Sequence, residues 1–170
     1  MLSRNSGFSL MELMVVVGII AILSAIAIPS LSTMVPSFRL RSTARDMVSC
    51  YQEARLRAIK ENTTVVVIAD LPNDRLTAFV DNGPGAAAGN WALDASEKVV
   101  RQIDIPSQID LYLSTIPFNT MGFNGRGLPA TATGFGNLYI KTSGANYREI
   151  SINATGSVRI RRSADGANWN

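Results

Sequence analysis

Residues 7–13 read Gly-Phe-Ser-Leu-Met-Glu-Leu and begin an apolar run that continues to Ile28, with Glu12 as its one charged side chain. A charged side chain in hydrocarbon costs roughly 2.5–3.5 kcal/mol on insertion scales, so Glu12 needs a partner. A cut after Gly7 would make Phe8 the N-terminal residue, and its α-amine could neutralise Glu12 of a neighbouring copy. Because that pair forms only between subunits packed side by side, the run indicates a filament subunit.

The apolar run is long enough to cross a membrane. Residues 8–28, as a helix rising about 1.5 Å per residue, cover a hydrocarbon core of roughly 30 Å. Charge counting leaves the direction of the span open, because Arg4 precedes the run and three arginines follow it before residue 46. The sequence therefore predicts a single membrane span whose orientation the charges do not decide.

The composition argues against catalysis. The chain has no His and one Cys, so it lacks the commonest general base and metal ligand and cannot form an internal disulfide. The sequence contains no Gly-rich phosphate loop, no Ser-centred elbow and no pair of cysteines. We therefore expect no enzyme activity, no metal and no cofactor. Cys50 lies among apolar residues of a predicted helix and is predicted to be a small core residue.

A second helical signal covers residues 37–62. Apolar or small side chains recur there at the spacing of one helix face, at Leu40, Ala44, Met47, Val48, Tyr51, Ala54, Ala58 and Ile59. This amphipathic segment, counted from residue 29 to residue 62, is predicted to continue the membrane helix as one rod. Pro29 and Pro36 each remove a backbone donor, so we expect kinks or local unwinding near both.

Residues 63–170 carry short β-branched runs separated by Pro, Gly and Asn clusters, which is typical of an antiparallel sheet. The predicted strands are residues 63–69, 75–80, 98–105, 109–114, 137–142, 149–154 and 157–161. A flexible loop is predicted at residues 81–90 and a surface loop at the Gly-rich residues 118–136. The predicted fold class is α+β, with a long N-terminal helix packed on one antiparallel β-sheet layer in a single β-rich head.

The N-terminal pattern resembles that of the type IV pilin and pseudopilin family. A short charged leader at residues 1–7, Gly7 before a cut, Phe8 as first mature residue and Glu12 four residues later match in order and spacing. An ordinary secretory signal is instead cut after its apolar segment. The resemblance implies cleavage by a prepilin peptidase, N-methylation, a cytoplasmic N-terminus in the bacterial inner membrane, and assembly with other pilins into a periplasmic or cell-surface filament.

Two pieces of the β region resemble the GspH/FimT branch of that family, the minor pseudopilins of type II secretion and related minor pilins. Residues 123–127, Phe-Asn-Gly-Arg-Gly, are similar to a Phe-x-x-Gly-Arg turn, although one residue rather than two separates Phe123 from Gly125. Residues 150–160 are similar to the final hairpin of that branch. With the leader and one long helix, the resemblance covers nearly the whole chain and implies a pilin-like fold.

The C-terminal end of the chain is basic. Residues 141–170 hold Lys141, Arg148, Arg159, Arg161 and Arg162 against Glu149 and Asp165. Arg159 and Arg161 are predicted to project to one face of the last strand, with Arg162 following at the strand end. Such a cluster can hold phosphates by charge and bidentate hydrogen bonds. It can equally serve as a solvated edge strand whose charges discourage edge-to-edge pairing.

Some minor pilins of the FimT type bind DNA through a C-terminal Gly-Arg-x-Arg motif. Here Ser157 stands at the position of the first Arg, while Arg159, Arg161 and Arg162 supply a similar charge density. Three functions are therefore open. The primary hypothesis is a structural minor pilin in or near the tip of a type IV pilus. The alternatives are a minor pilin that binds double-stranded DNA for uptake in natural transformation and a type II secretion minor pseudopilin.

Overall fold

Helix α1 has 52 residues and extends from Leu10 to Glu61. The computed structural model describes residues 9–83, 89–130, 135–144 and 146–169, with backbone alone at 29–33. The chain divides into two compact units, Met1–Pro36 and Ser37–Asn170, and α1 contributes to both. Helical backbone continues through Pro29 and Pro36, so the local unwinding expected near the two prolines is not found in the described backbone.

Within the described residues, eight strands follow α1. They are β1 (Val65–Asp70), β2 (Arg75–Val80), β3 (Lys98–Asp104), β4 (Ile109–Ser114), β5 (Thr120–Phe123), β6 (Gly136–Thr142), β7 (Tyr147–Ile152) and β8 (Val158–Ser163). A short 3-10 helix, Pro117–Asn119, precedes β5. The seven predicted strands all occur, and each predicted end lies within two residues of an observed one.

The strands form two antiparallel four-stranded sheets. Sheet A has the order β3-β2-β1-β5, and sheet B has the order β4-β6-β7-β8. The predicted α+β class, a long helix with antiparallel strands, is confirmed. The prediction of one sheet layer is wrong, because the period-two pattern shows that a strand has a buried face but not which sheet that strand joins.

The buried face of α1 and the inward faces of both sheets form one core cluster. The helical members of the cluster are Leu40, Ala44, Met47, Cys50, Tyr51, Ala54 and Ala58. Ile59, predicted on this face, is 46% exposed, since a residue next to Ala58 points about 100° further round the helix. Cys50 is buried as predicted, and burial raises the pKa of its thiol to about 12.

The prediction of a surface loop at residues 118–136 is wrong for part of this segment. Thr120–Phe123 form β5, all four residues are buried, and the strand pairs with β1. Residues 131–134 of the predicted loop lie outside the described residues. The ring of Trp91 packs so closely on Gly122 that a Cβ added to this glycine would be 2.1 Å from Cζ3 of the indole.

Trp91 is held in place by a buried carboxylate. Asp81, at the end of β2, is 4% exposed and accepts hydrogen bonds from the N–H groups of Gly89 at 2.7 Å and Trp91 at 3.2 Å. The left-handed backbone of Trp91, with φ of 63°, fits such an anchored turn. The described ends of the predicted flexible loop 81–90 are therefore tied down, whereas residues 84–88 lie outside the described residues.

Gly122→Ala is expected to destabilise the head by about 1–3 kcal/mol, because its new methyl group overlaps the Trp91 ring and overpacked sites cost about that much. Chemical unfolding of the full chain in detergent micelles measures the free energy, and tryptophan fluorescence reports displacement of the indole. Gly144→Ala is the matched control, since a Cβ there meets nothing nearer than 3.9 Å. Equal stability of the two variants would contradict this packing.

Candidate functional site

The first described turns of α1 form an uncovered apolar surface. Leu10–Ile28 has a mean hydropathy of 2.6 and is long and apolar enough to cross a membrane. Every side chain in this segment except Ser24 is exposed. Contiguous apolar surface of this extent is rare on soluble proteins and marks contact with lipid or with other proteins. The segment therefore needs hydrocarbon or neighbouring helices around it.

Glu12 lies in the first turn of α1, which begins at Leu10 directly after Ser9. The Ser9 hydroxyl accepts a hydrogen bond from the N–H of Met11 at 3.2 Å, and the Ser9 carbonyl accepts one from the N–H of Leu13 at 3.1 Å. Ser9 and Glu12 thus have the spacing of a capping box, and the helix dipole favours a negative charge in this turn. The free subunit therefore tolerates the Glu12 carboxylate.

Gly7 and Phe8, the predicted cleavage site, lie outside the described residues. The cut between them and the amine partner of Glu12 therefore stay predictions. Among the described residues, no Lys or Arg forms an ion pair with Glu12.

The turn at residues 123–127 packs against the C-terminal end of α1. Oδ1 of Asn124 accepts hydrogen bonds from two backbone N–H groups of the turn, at 2.9 and 3.2 Å. A Cβ added to Gly125 would lie 2.4 Å from Oδ1 of Asn62, the residue that follows the helix. Arg126 is exposed at the tip of the turn. The turn that resembles the GspH/FimT branch thus packs closely against the residue that follows α1.

The final hairpin contacts this same turn. Oδ1 of Asn153 accepts hydrogen bonds from the N–H groups of Thr155 at 3.1 Å and Ser157 at 2.9 Å, which fixes the reversal between β7 and β8. Gly156 has a φ of 73°, and a Cβ there would lie 3.1 Å from the carbonyl oxygen of Gly127, which is a tight contact. The structure therefore brings together the two motifs that the sequence analysis connected only by resemblance.

The three predicted arginines lie in β8, the edge strand of sheet B. Its register with β7 sets Arg159 opposite Ser151, Arg161 opposite Glu149 and Arg162 opposite Arg148. Arg159 and Arg161 therefore share a face, as predicted. The prediction for Arg162 is wrong, because β8 continues to Ser163 and alternation turns Arg162 to the opposite face. The three arginines do not form one surface.

Arg161 is bound to a buried carboxylate. Its Nη2 donates to Oε1 of Glu149 at 2.7 Å, and Glu149 is 1% exposed. On the same face of sheet B, four aromatic side chains pack with ring centroids 5.2–6.2 Å apart, namely Tyr112, Tyr139, Tyr147 and Trp169. The sequence patterns did not predict this cluster. Tyr139 lies in a predicted strand, Tyr147 stands two residues before the next one, and both point outward.

Arg162 lies instead beside two arginines that the sequence analysis did not single out. Arg162, Arg148 of β7 and Arg41 of α1 border one cleft. Burial, together with the positive charges of Arg41 and Arg162, lowers the pKa of Arg148. Arg41 comes from the helix that packs on the sheets, so no local pattern in the sequence could have placed it there.

Two sequence families match this chain. The profile of GspH, described as a type II transport protein, covers residues 43–156, and the prokaryotic N-terminal methylation motif covers residues 2–28. This chain belongs to the GspH family. The family resemblance inferred from the leader, the long helix and the final hairpin is thereby confirmed.

Two solved structures of pilin-like proteins share the fold of this GspH-family chain. The minor pseudopilin EpsH from the type 2 secretion system of Vibrio cholerae gives a TM-score of 0.52 at 16% identity, over 71% of this chain and 94% of that chain. The type IV minor pilin FimU of Pseudomonas aeruginosa gives 0.50 at 18% identity, over 77% and 92%. At these identities the likeness shows the fold alone. No protein of curated function matches the sequence.

Membership of the GspH family makes the chain a pilin-like subunit of the family described as type II transport proteins, and membership implies assembly with other subunits of this kind. The family and the fold are those of structural subunits rather than enzymes. The methylation motif and the apolar segment Leu10–Ile28 indicate a membrane anchor and later assembly into a filament.

Arg161→Ala is expected to destabilise the GspH-family head by roughly 1–3 kcal/mol, because it leaves the buried Glu149 carboxylate without its cation. Arg159→Ala is the matched control. Arg159 lies on the same strand and face, is exposed and forms no ion pair with a described residue, so its loss is expected to change stability by less than about 0.5 kcal/mol. Urea unfolding of both variants in micelles tests the difference, and equal stabilities would contradict it.

Proposed function

We propose that this chain is a structural minor pilin, cleaved between Gly7 and Phe8 by a prepilin peptidase and assembled into or near the tip of a type IV pilus. The observation that carries the proposal is the uncovered apolar surface of Leu10–Ile28 with a single carboxylate, Glu12, in its first turn. A surface of that kind has two suitable environments, lipid before assembly and the apolar helices of other pilins after it.

Glu12 links the two environments. Before assembly the helix spans the inner membrane with a cytoplasmic N-terminus, and its first turn places Glu12 near the membrane surface rather than at the bilayer centre. Cleavage creates the α-amine of Phe8, which pairs with Glu12 of a neighbouring subunit. Water is scarce between packed apolar helices, so the attraction between these charges is stronger there than in solution.

A role as a minor pseudopilin of type II secretion is the alternative within the same structural class. Its support is the description of the GspH family as type II transport proteins. The same apolar helix and the same Glu12 would then pack into a pseudopilus. Detecting the chain in purified surface pili, as opposed to co-purification with a secretion apparatus, separates the two roles.

Glu12→Ala is expected to leave membrane insertion and cleavage intact, since an apolar residue inserts more easily, and to reduce incorporation into filaments about tenfold or more, since a broken buried ion pair is costly. Mass spectrometry of the N-terminus checks for a mature chain that begins at Phe8. Immunoblots of sheared filaments measure incorporation.

Ser9→Ala is the matched control for Glu12→Ala, because it removes the N-cap of the same turn and keeps the carboxylate. If Ser9→Ala reduces incorporation as strongly as Glu12→Ala, Glu12 acts on the helix end and not on a neighbouring subunit. A mature chain that begins elsewhere than at Phe8 would contradict the proposed cleavage and the proposed pairing of Glu12 with the Phe8 amine.

DNA binding during natural transformation is a second candidate function, supported by Arg159, which is exposed and forms no ion pair with a described residue. On this hypothesis the full chain in micelles binds duplexes of unrelated sequence, and the affinity falls as salt rises, because phosphate contacts release counterions. Alanine at Arg159, Arg161 and Arg162 together abolishes the binding. A mobility-shift titration without any low-salt binding would leave β8 with the role of a charged edge strand.

A further inference from the structure

A cleft of about 320 Å³ opens between α1 and sheet B within the unit Ser37–Asn170. It is lined by Arg41, Arg148, Ile160, Arg161 and Arg162. The guanidinium of Arg161 is bound to Glu149, so the free positive charge of the cleft comes from the other three arginines, which we call the arginine triad.

The arginine triad holds like charges together at a cost to the folded chain. Arg148 and Arg162 stand directly opposite each other on neighbouring antiparallel strands, an arrangement that destabilises a sheet. Burial and the charges of Arg41 and Arg162 lower the pKa of Arg148, although an arginine side chain stays protonated in proteins.

Within the described residues, no carboxylate relieves this repulsion. Five of the other basic residues of the described head form ion pairs with acidic ones, namely Arg57, Arg75, Arg101, Lys141 and Arg161. The triad forms none, and the one side-chain hydrogen bond recorded for it runs from Nη1 of Arg148 to the carbonyl oxygen of Tyr147 at 2.8 Å. The cleft therefore brings together three positive charges with which no acidic side chain of the described head forms an ion pair.

We propose that the arginine triad binds a carboxylate side chain of a neighbouring subunit in the filament. This contact would add to the helix contacts of the proposed function, and the inference rests on that function. Guanidinium groups match carboxylates through paired N–H donors, and such charge-assisted bonds are short and strong. Three cations around one small cleft favour a partner segment that presents one or two acidic side chains.

The shape and lining of the cleft favour a protein partner over nucleic acid. Ile160 forms an apolar part of the lining and is 39% exposed, so an incoming acidic segment with an apolar neighbour would bury it. A nucleic-acid backbone instead needs cations spread along a track. The two other arginines of β8, Arg159 and Arg161, lie on the opposite face of the strand and do not extend the triad into such a track.

Charge reversal at one member of the triad tests the proposal. Arg148→Glu and Arg162→Glu each place a carboxylate opposite an arginine, so either variant forms a cross-strand pair and is expected to keep the head folded. Each reversal repels the incoming carboxylate and is expected to lower incorporation into filaments about tenfold or more. Unfolding of each variant in micelles verifies the fold, and the neutral variants Arg148→Gln and Arg162→Gln serve where a reversal fails to fold.

A control separates the cleft from a general effect of charge. Arg126→Glu reverses one charge at the exposed tip of the 123–127 turn. It is expected to enter filaments normally. Normal incorporation of Arg148→Glu and Arg162→Glu, or an equal loss in Arg126→Glu, would overturn the proposal.

Photo-crosslinking from position 160 in assembled filaments identifies the residue that contacts the cleft. If that residue is acidic, its replacement by Lys is expected to restore incorporation of Arg162→Glu at least partly, and failure of this rescue overturns the proposal. A mobility-shift assay with duplex DNA runs in parallel. Loss of a DNA shift in Arg148→Glu and Arg162→Glu, with normal entry into filaments, would assign the triad to phosphate and overturn the proposal as well.

The same filament assay distinguishes failure of this inference from failure of the proposed function. If Glu12→Ala reduces incorporation and the triad variants do not, the filament role stands and the triad has no part in it. If the unaltered chain is absent from filaments, the proposed function and the inference that rests on it fall together.

Discussion

The buried face of α1 is the constraint on which the head depends. The inward faces of both sheets share one core cluster with the buried side chains of the helix, so the helix is part of the buried surface of each sheet. Ala54 and Ala58 are fully buried on this face of the helix, as are the larger side chains of Leu40 and Tyr51. Because both sheets share one helix, the position of each sheet decides which helical side chains that sheet contacts.

The sequence predicts most of the secondary structure, because periodicity is a local property. The 3.6-residue period identifies α1 and the period of two identifies seven strands. It misses β5, since Thr120–Phe123 is short, contains a glycine and lies within a Gly-rich stretch. What makes β5 a buried strand is pairing with β1 and the ring of Trp91, which Asp81 positions from another part of the chain. Partners of that kind leave no local signature.

The candidate sites divide in the same way between local and tertiary information. A hairpin turn centred on Thr155 sets Arg161 opposite Glu149 and Arg162 opposite Arg148, so these two pairs can be predicted from the sequence of the hairpin. Because the predicted strand ended at residue 161, Arg162 lay outside it and its pairing with Arg148 was missed. The contribution of Arg41 depends on how the helix packs on sheet B, and only the tertiary structure supplies that.

Glu12 and the arginine triad both lack an ion-pair partner among the described residues of the subunit. Glu12 lies in an apolar segment with no cation paired to it, and the arginine triad collects three cations with no carboxylate paired to them. Each is tolerated in the free chain for a local reason, the helix dipole for Glu12 and solvent access to the cleft for the arginines. Neither tolerance explains why the charges are placed there.

A subunit built for assembly accounts for both, because a neighbour can supply the opposite charge in surroundings drier than the free surface, where the attraction is stronger. The unmatched charges would then give the contacts their specificity, while the apolar helix supplies most of their area.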